Sequence, residues 1–451
     1  MKEQKSMEGL AARRTALRVI RQVTEDGAFA ALALDAALRN CGMTGTDRRL
    51  VSRLTYDTLD HLIYLDWALG QVMAKPDTDI KLKNILRLGA CQILLEDRIP
   101  ESAATNLCVQ LCAELGMPGL KGVCNGILRN LIRKKDELVL REGETVSEES
   151  ASLKYSVPVW IYRKLREDYG DEAEQILEYR NYDAGWTLRP NLTKLGDSDF
   201  HSLLEKKVWR KEKTDLPHAW KVTGAIDIAR DADYLAGNFS IQSGGSMLAC
   251  LALDVKRGQQ ILDCCAAPGG KTCYVAELMN GTGRIQAWDI HENRVRLIEA
   301  QARRLGLENI RPMIRDATKR REDLYGSMDA VLLDAPCSGL GFMSQKPDLK
   351  LRVTEKSIEE LTALQSELLE TVCEYVKPGG ILVYSTCSIL KDENEKQARS
   401  FLFRHPEFQE IPLPDSVPEK YRKLQNGGLQ LLEHRDGLEG FYLIRMRKKD
   451  D

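Results

Sequence analysis

Two cysteines stand where chemistry can use them. One lies in Leu332-Leu333-Asp334-Ala335-Pro336-Cys337-Ser338-Gly339, the other in Val383-Tyr384-Ser385-Thr386-Cys387-Ser388. Each phrase opens as an apolar run and breaks into small residues, Pro or Gly. A buried parallel strand reads this way when it stops at the carboxyl edge of a sheet, and in open α/β sheets ligands bind outside that edge. A lone cysteine there is ordinarily inert packing. Two of them, one just beyond an aspartate, fit nucleophilic catalysis better. A cysteine hydrolase is the rival reading, but it needs a His to activate the thiol. None of the six His (His61, His201, His218, His291, His405, His434) sits in a motif, and only His291 and His434 fall near the predicted edge.

A third phrase, Ile261-Leu262-Asp263-Cys264-Cys265-Ala266-Ala267-Pro268-Gly269-Gly270-Lys271-Thr272, leaves a strand and opens a helix. Glycines there let a ligand approach the backbone, and the helix start favours an anionic group. The loop is neither the Gly-x-Gly-x-x-Gly fingerprint nor a Walker loop. Asp289 and Asp316 end the next two predicted strands. The first is placed to accept from ribose hydroxyls, the second from an adenine amino group. Taken singly, each serves a helix N-cap equally well. Their succession at three strand ends favours a nucleoside-containing ligand.

These phrases sit in a chain of 451 residues, 43% hydrophobic and 29% charged, with a net charge of −2. That describes a globular protein of about three domains with no global basic excess. No apolar leader follows Met1-Lys2-Glu3-Gln4-Lys5, and no run of eighteen apolar residues occurs, so a cytoplasmic protein with no membrane partner is expected. The 12 cysteines lie in apolar contexts and read as reduced thiols. Cys108 and Cys112 are core thiols, and no metal site is expected.

The supporting elements follow from periodicity. Residues 1–140 read as a bundle of five to seven helices, broken at Gly42–Thr46, Lys75-Pro76-Asp77, Ile99-Pro100 and Gly116–Gly119. Through Lys135 there are 20 Lys+Arg against 15 Asp+Glu. Arg14, Arg18 and Arg21 share a helix face that Arg48, Arg49 and Arg53 extend; a solvated face and an RNA-contacting patch are equally compatible with it. The polar run Arg141–Ser150 reads as a linker. Residues 150–235 mix helix and strand in a small α+β module: a helix to about Tyr179, strands at Trp186–Asn191 and Ala219–Thr223, and a helix at Phe200–Lys206. Residues 236–451 alternate as βα, with strands at 259–264, 284–289, 310–315, 328–334 and 379–386. A capping box of Ser357 and Glu360 opens a helix. A closing strand at Gly440–Met446 pairs antiparallel near the sheet edge.

In these motifs the chain resembles the RNA 5-methylcytosine methyltransferases of the Sun/NOL/NOP family. The resemblance spans almost the whole chain. Ile99-Pro100-Glu101-Ser102-Ala103 and Cys124-Asn125-Gly126-Ile127-Leu128-Arg129 are similar to a NusB-type RNA-binding domain. Leu188-Arg189-Pro190-Asn191 resembles the family's middle segment, and Leu431, Glu433, His434, Gly440 and Tyr442 its closing motif. A NusB-like domain on this core points to the bacterial Sun (RsmB) branch. The chain departs from the pattern at Phe342-Met343-Ser344-Gln345, at Gln242–Ser246 and at Tyr56–Asp60.

The resemblance implies a multidomain protein. It comprises an all-α NusB-like bundle, a small α+β module and an α/β Rossmann-like methyltransferase domain, acting as a monomer on 16S ribosomal RNA or a pre-ribosomal particle. It implies S-adenosyl-L-methionine along Cys265, Ala266, Ala267, Pro268, Gly269, Gly270, Lys271, Asp289 and Asp316, with Asp334 bordering both ligands. Cys387 is implied to add to C6 of cytosine while Asp334 holds the base near N3; Cys337 is implied to assist the later release of the thiolate. Lys271 is a candidate for lowering the Cys387 pKa. The alternatives are the same chemistry on transfer RNA or another ribosomal site, or a non-catalytic NusB-like RNA-binding factor.

Overall fold

The computed structural model describes all residues except 1, 40, 76–77, 139–146, 183, 225, 423–426 and 451. It forms two compact units. One comprises Met1–Tyr182 with Lys346–Arg352, the other Asp183–Gln345 with Val353–Asp451.

The first unit is helical. Seven α-helices run from Lys2–Thr24 to Lys121–Lys134 among the described residues, within the expected range. Their apolar stripes meet in one core through Leu17, Ile20, Leu54, Ile85, Leu111 and Leu128. Cys108 and Cys112 lie inside it, as expected. The break expected at 75–77 falls partly outside the described residues, as does most of the expected linker. The end of that linker is in fact helix: Glu148–Tyr155 starts at a capping box made by Ser147 and Ser150. The single helix expected to reach Tyr179 is two, Val159–Tyr169 and Glu172–Glu178, interrupted at Gly170. Both cluster with the helical unit.

The arginine face is less free than its spacing suggests. Arg14 forms a two-pronged bond to Glu114 at 2.7 and 2.6 Å, and Arg21 one to Glu25 at 2.8 and 3.0 Å. Arg53 pairs with Glu96. Arg18, Arg48 and Arg49 are exposed and have no acidic partner among the described residues.

A short segment that follows the Pro-Cys motif in sequence is built into this helical unit. Lys350 and Asp60 are each 1% exposed, with Lys350 Nζ 2.6 Å from Asp60 Oδ1. Arg180 Nε holds the other carboxylate oxygen at 2.5 Å. Asp348 accepts the backbone N–H of Ala30 at the start of the helix Ala30–Leu38. Burial alone would raise the Asp60 pKa, but Lys350 and Arg180 together hold it well below the usual carboxylate range.

The second unit begins with a four-stranded antiparallel sheet, β1 (Trp186–Pro190), β2 (Arg210–Lys213), β3 (Trp220–Thr223) and β4 (Phe239–Ile241), in the order β2-β3-β1-β4. The helix Asp197–Glu205 covers it through Phe200 and Leu204. The rest is one mixed sheet: β5 (Gln260–Asp263), β6 (Arg284–Asp289), β7 (Ile310–Ile314), β8 (Met328–Asp334), β9 (Val376–Thr386), β10 (Phe408–Glu410), β11 (Leu429–Leu431) and β12 (Phe441–Lys448). The order is β10-β12-β9-β8-β5-β6-β7, with β11 on β12. Strands β5 to β9 are mutually parallel, and β12 runs antiparallel to β9. Alternate residues serve opposite faces: Ile261, Ile285, Leu332 and Val383 pack into one core, Leu262, Trp288, Leu333 and Tyr384 into the other. Burial on both faces explains why β5, β8 and the second half of β9 read as unbroken apolar runs, while β6 and β7 toward the edge carry Arg284, Gln286 and Arg311. The helix before β9 runs Glu355–Val372, and its capping box is Thr354 with Ser357. Ser357 therefore occupies the third helical position rather than the cap.

The buried ion cluster gives a stability expectation. Asp60→Ala strands Lys350 in the core, and breaking a buried pair costs about 3–5 kcal/mol. Lys350→Met leaves Arg180 to neutralise Asp60 and should cost clearly less. Denaturant titration of the two variants checks the order. Because the folded Asp60 pKa is depressed, its contribution is complete above about pH 4 and is lost only as pH falls through the lower folded value.

Candidate active site

All five parallel strands point their carboxyl ends the same way, so the polar residue that ends each arrives at one edge. Asp263 ends β5, Asp289 ends β6, Asp334 ends β8 and Thr386 ends β9, while Asp316 follows β7. The register pairs Asp334 with Ser385 on β9. Ser385 Oγ donates to Asp334 Oδ1 at 2.8 Å, and Lys271 Nζ lies 2.7 Å from Asp334 Oδ2. Just past these strand ends, Cys337 Sγ and Cys387 Sγ are 3.2 Å apart. The two cysteines and Asp334 thus occupy one place, with Lys271 beside them.

The loop around Cys337 is pressed onto its surroundings. Gly341 N donates to the Cys387 carbonyl, and the Gly341 carbonyl accepts from Gly440 N, both at 2.9 Å. A side chain at Gly341 would run into the Gly440 and Cys387 carbonyls. This close approach explains the glycine at 341 and ties the loop to the closing glycine before β12, while Gly339 takes a positive φ of +72°.

The thiols are unequal. Cys387 is held below its ordinary pKa, chiefly by a hydrogen bond from Cys337; burial and Asp334 oppose this, and Lys271 assists it. Cys337 is pushed up by the same bond and by burial. Lys271 adds a smaller electrostatic contribution in favour of thiolate at Cys387. Yet Lys271 is chiefly committed to Asp334: burial pulls its pKa down, and the carboxylate more than offsets this. The expectation that Lys271 activates Cys387 is therefore refined, with Cys337 the larger influence.

On the glycine-loop side, Cys265 to Gly269 form the turn and Gly270 starts the helix Gly270–Leu278. Gly269 has φ +105°, a region that favours glycine. Gly270 faces open space. Ala266 N bonds to the Trp288 carbonyl, which fixes the loop against β6. Asp289 is buried; it accepts from His291 N at 3.0 Å and lies 3.4 Å from Arg294 Nε. Asp316 accepts from both N and Oγ1 of Thr318 through one oxygen, and its other oxygen has no protein partner among the described residues. Both aspartates thus brace their own turns while lying along the ligand edge.

Asp263 was not anticipated as a site residue. It is buried, its Oδ2 accepts from Thr272 Oγ1 at 2.6 Å, and its Oδ1 has no partner among the described residues. Burial pushes its pKa up to about 7, against the Thr272 hydrogen bond. Its signal in the sequence was its place at the end of the apolar run Ile261-Leu262. No group of His, Cys, Asp or Glu able to hold a metal occurs among the described residues.

The parallel order, glycine turn and strand-end carboxylates define a Rossmann-like methyltransferase domain. Residues 250–447 match the family 16S rRNA methyltransferase RsmB/F, residues 10–133 the NusB family and residues 157–229 the RsmF/B-like ferredoxin-like domain. The chain is 32% identical over 453 residues to a probable ribosomal RNA small subunit methyltransferase B of Bacillus subtilis, covering 98% of this chain and 100% of that protein. It is equally identical to the ribosomal RNA small subunit methyltransferase B of Yersinia pseudotuberculosis, covering 97% of this chain and 98% of that one. Among solved structures, PH0851 aligns with a TM-score of 0.81 and 27% identity, covering 97% of this chain and 99% of that one. The chain belongs to the RsmB/F methyltransferase family. The cofactor is S-adenosylmethionine, and the site suits it: the partnerless Asp263 oxygen and the free Asp316 oxygen are acceptors waiting for donors, and Gly270 leaves room above the loop.

Two outcomes are expected. Asp289→Ala should weaken S-adenosylmethionine binding about tenfold to a hundredfold, since hydrogen bonds to a charged group are worth about 1.5–3 kcal/mol; calorimetry on the folded variant checks this. Alkylation of Cys387 by iodoacetamide should show a midpoint below about 8.5, the free-thiol value, and Cys337→Ala should move it upward by removing the main stabilising hydrogen bond.

Proposed function

We propose that this protein methylates C5 of a cytosine in 16S ribosomal RNA through a transient bond between Cys387 and C6 of the base. The observation that carries this reading is the meeting of the Cys337–Cys387 pair with the Lys271–Asp334 ion pair at one sheet edge. C5 of cytosine is too weak a nucleophile to accept a methyl group directly. Addition of the Cys387 sulfur to C6 makes C5 electron-rich, with charge developing toward N3. N3 takes up a proton from water as this charge develops, Asp334 lies where its carboxylate can accept a hydrogen bond from that N3–H, and Lys271 fixes its orientation. S-adenosylmethionine supplies the methyl group as an electrophile. The C5 proton is then removed, the C6–sulfur bond breaks, and the ring recovers its aromaticity. The C5 proton passes to a base, and Cys337, beside the leaving sulfur and kept protonated by its raised pKa, is placed to donate a hydrogen bond to the departing Cys387 thiolate. The cofactor would be held by Cys265–Lys271, Asp289 and Asp316, with Asp263 as a further acceptor.

The cysteines should then fail in different ways. Cys387→Ala should give neither product nor covalent protein–RNA adduct. Cys337→Ala, assayed at pH 8 so that thiolate remains available, should accumulate a slow-migrating band that survives denaturation. Swapped phenotypes would assign the nucleophile to the Pro-Cys motif, and full activity in Cys387→Ala would overturn the proposal. Bisulfite sequencing of RNA from a deletion strain should show one missing small-subunit methylcytosine; loss confined to transfer RNA would move the substrate.

The helical unit is proposed to add RNA affinity. Of the six arginines on the expected face, Arg14, Arg21 and Arg53 are paired with Glu114, Glu25 and Glu96, which leaves Arg18, Arg48 and Arg49 open to phosphate. Reversing these three to Glu should weaken RNA binding and flatten its salt dependence, by about 0.7–0.9 in log–log slope for each phosphate no longer neutralised. Wild-type binding in filter assays would return this face to plain solvation.

A further inference from the structure

Each cysteine is followed directly by a serine, and both serines bind one buried side chain. Glu393 is 0% exposed. Its Oε1 accepts from Ser338 N at 2.8 Å and from Gln365 Nε2 at 3.2 Å. Its Oε2 accepts from Ser338 Oγ at 2.6 Å and from Ser388 Oγ at 2.5 Å. The two serine hydroxyls also touch each other at 3.1 Å. Gln365 extends the same hold to the Pro336 carbonyl, at 2.9 Å. No cation pairs with Glu393 among the described residues. An unpaired carboxylate is expensive to bury, and here four neutral donors satisfy it.

We infer that Glu393 is a positioning residue that sets the two cysteine-bearing loops against each other, and so fixes the contact between Cys337 and Cys387. A neighbouring residue separates this task from simple bracing of the turn. Asn394 closes the local turn: its Oδ1 accepts from Thr386 Oγ1 at 2.5 Å and its Nδ2 donates to the Ser388 carbonyl at 2.9 Å. Neither those bonds nor its third, from Nδ2 to Gln430 Oε1 at 2.7 Å, touches the Cys337 loop. The Glu393 carboxylate instead reaches across to Ser338, on the loop that leaves β8. Cys337 and Cys387 have no bond to each other beyond their sulfur contact, so the register of their loops sets the sulfur separation. That separation matters because the thiol of Cys337 is the largest influence favouring thiolate at Cys387.

The inference rests on the proposed cysteine chemistry, but part of its test needs no RNA. Full-length wild type, Glu393→Gln and Ser388→Ala are treated with diamide, which takes two electrons and two protons from a thiol pair and leaves a disulfide. Formation of the Cys337–Cys387 disulfide is followed by peptide mapping. Methyl-transfer kcat and the KM for S-adenosylmethionine are measured alongside. Both variants should close the disulfide at least about tenfold more slowly and raise the pH midpoint of Cys387 alkylation. They should also lower kcat up to about a hundredfold, the effect of a misplacement near 1 Å, with KM unchanged. Wild-type disulfide rates and alkylation midpoints would overturn the inference, whatever happens to kcat. Should Glu393→Gln fail to fold, the same readouts on Ser388→Ala decide the matter. If wild type makes no methylcytosine while the thiol readouts shift as stated, the proposed function falls and the clamp stands.

Discussion

The backbone pairing of Asp334 with Ser385, between β8 and β9, sets the geometry of everything at the sheet edge. From that pair the chain needs only a few residues on either strand to bring Cys337 and Cys387 together. A slip of one residue would turn every β9 side chain to the opposite face. Leu382 and Tyr384 would exchange cores with Val383, and Ser385 would leave Asp334. The two apolar cores that flank the sheet therefore enforce the register. The packing that stabilises the domain is the same packing that aligns the thiols.

Electrostatics at the edge follow from uneven burial: the Lys271 and Asp334 side chains are 16% and 26% exposed, whereas Asp263 and Glu393 are buried. Lys271 and Asp334 satisfy each other, so the pair adds no net charge at the sheet edge. Asp263 holds an acceptor with no partner among the described residues and has its pKa raised to about 7 by burial. A nearby positive group would reverse that cost by favouring the ionised form. Glu393 solves a similar problem with four neutral donors.

Much of this was legible in the sequence where local pattern decides structure. The apolar runs ending in Asp263, Asp334 and Thr386 marked three of the parallel strands, because burial on both faces leaves no other pattern. The polar β2, Arg210–Lys213, was missed because it carries no alternation, and β4 because it is only three residues long. The cap at Thr354 was displaced by one turn because Ser357 also has a capping side chain. What stayed illegible is long-range. Lys350 finding Asp60, Arg14 finding Glu114 and Glu393 finding Ser338 depend on meetings between segments 290, 100 and 55 residues apart. Spacing along one helix cannot reveal such partners, which is why an arginine row that reads as open is partly neutralised.

The central claim is that Cys387, not Cys337, attacks the base. RNA carrying 5-fluorocytidine at the target position tests it most directly, since fluorine at C5 prevents the proton loss that precedes release and traps the protein on the base. Peptide mapping of the trapped complex should place the nucleotide on Cys387, in the Thr386-Cys387-Ser388 peptide. A nucleotide found on Cys337 would contradict the account.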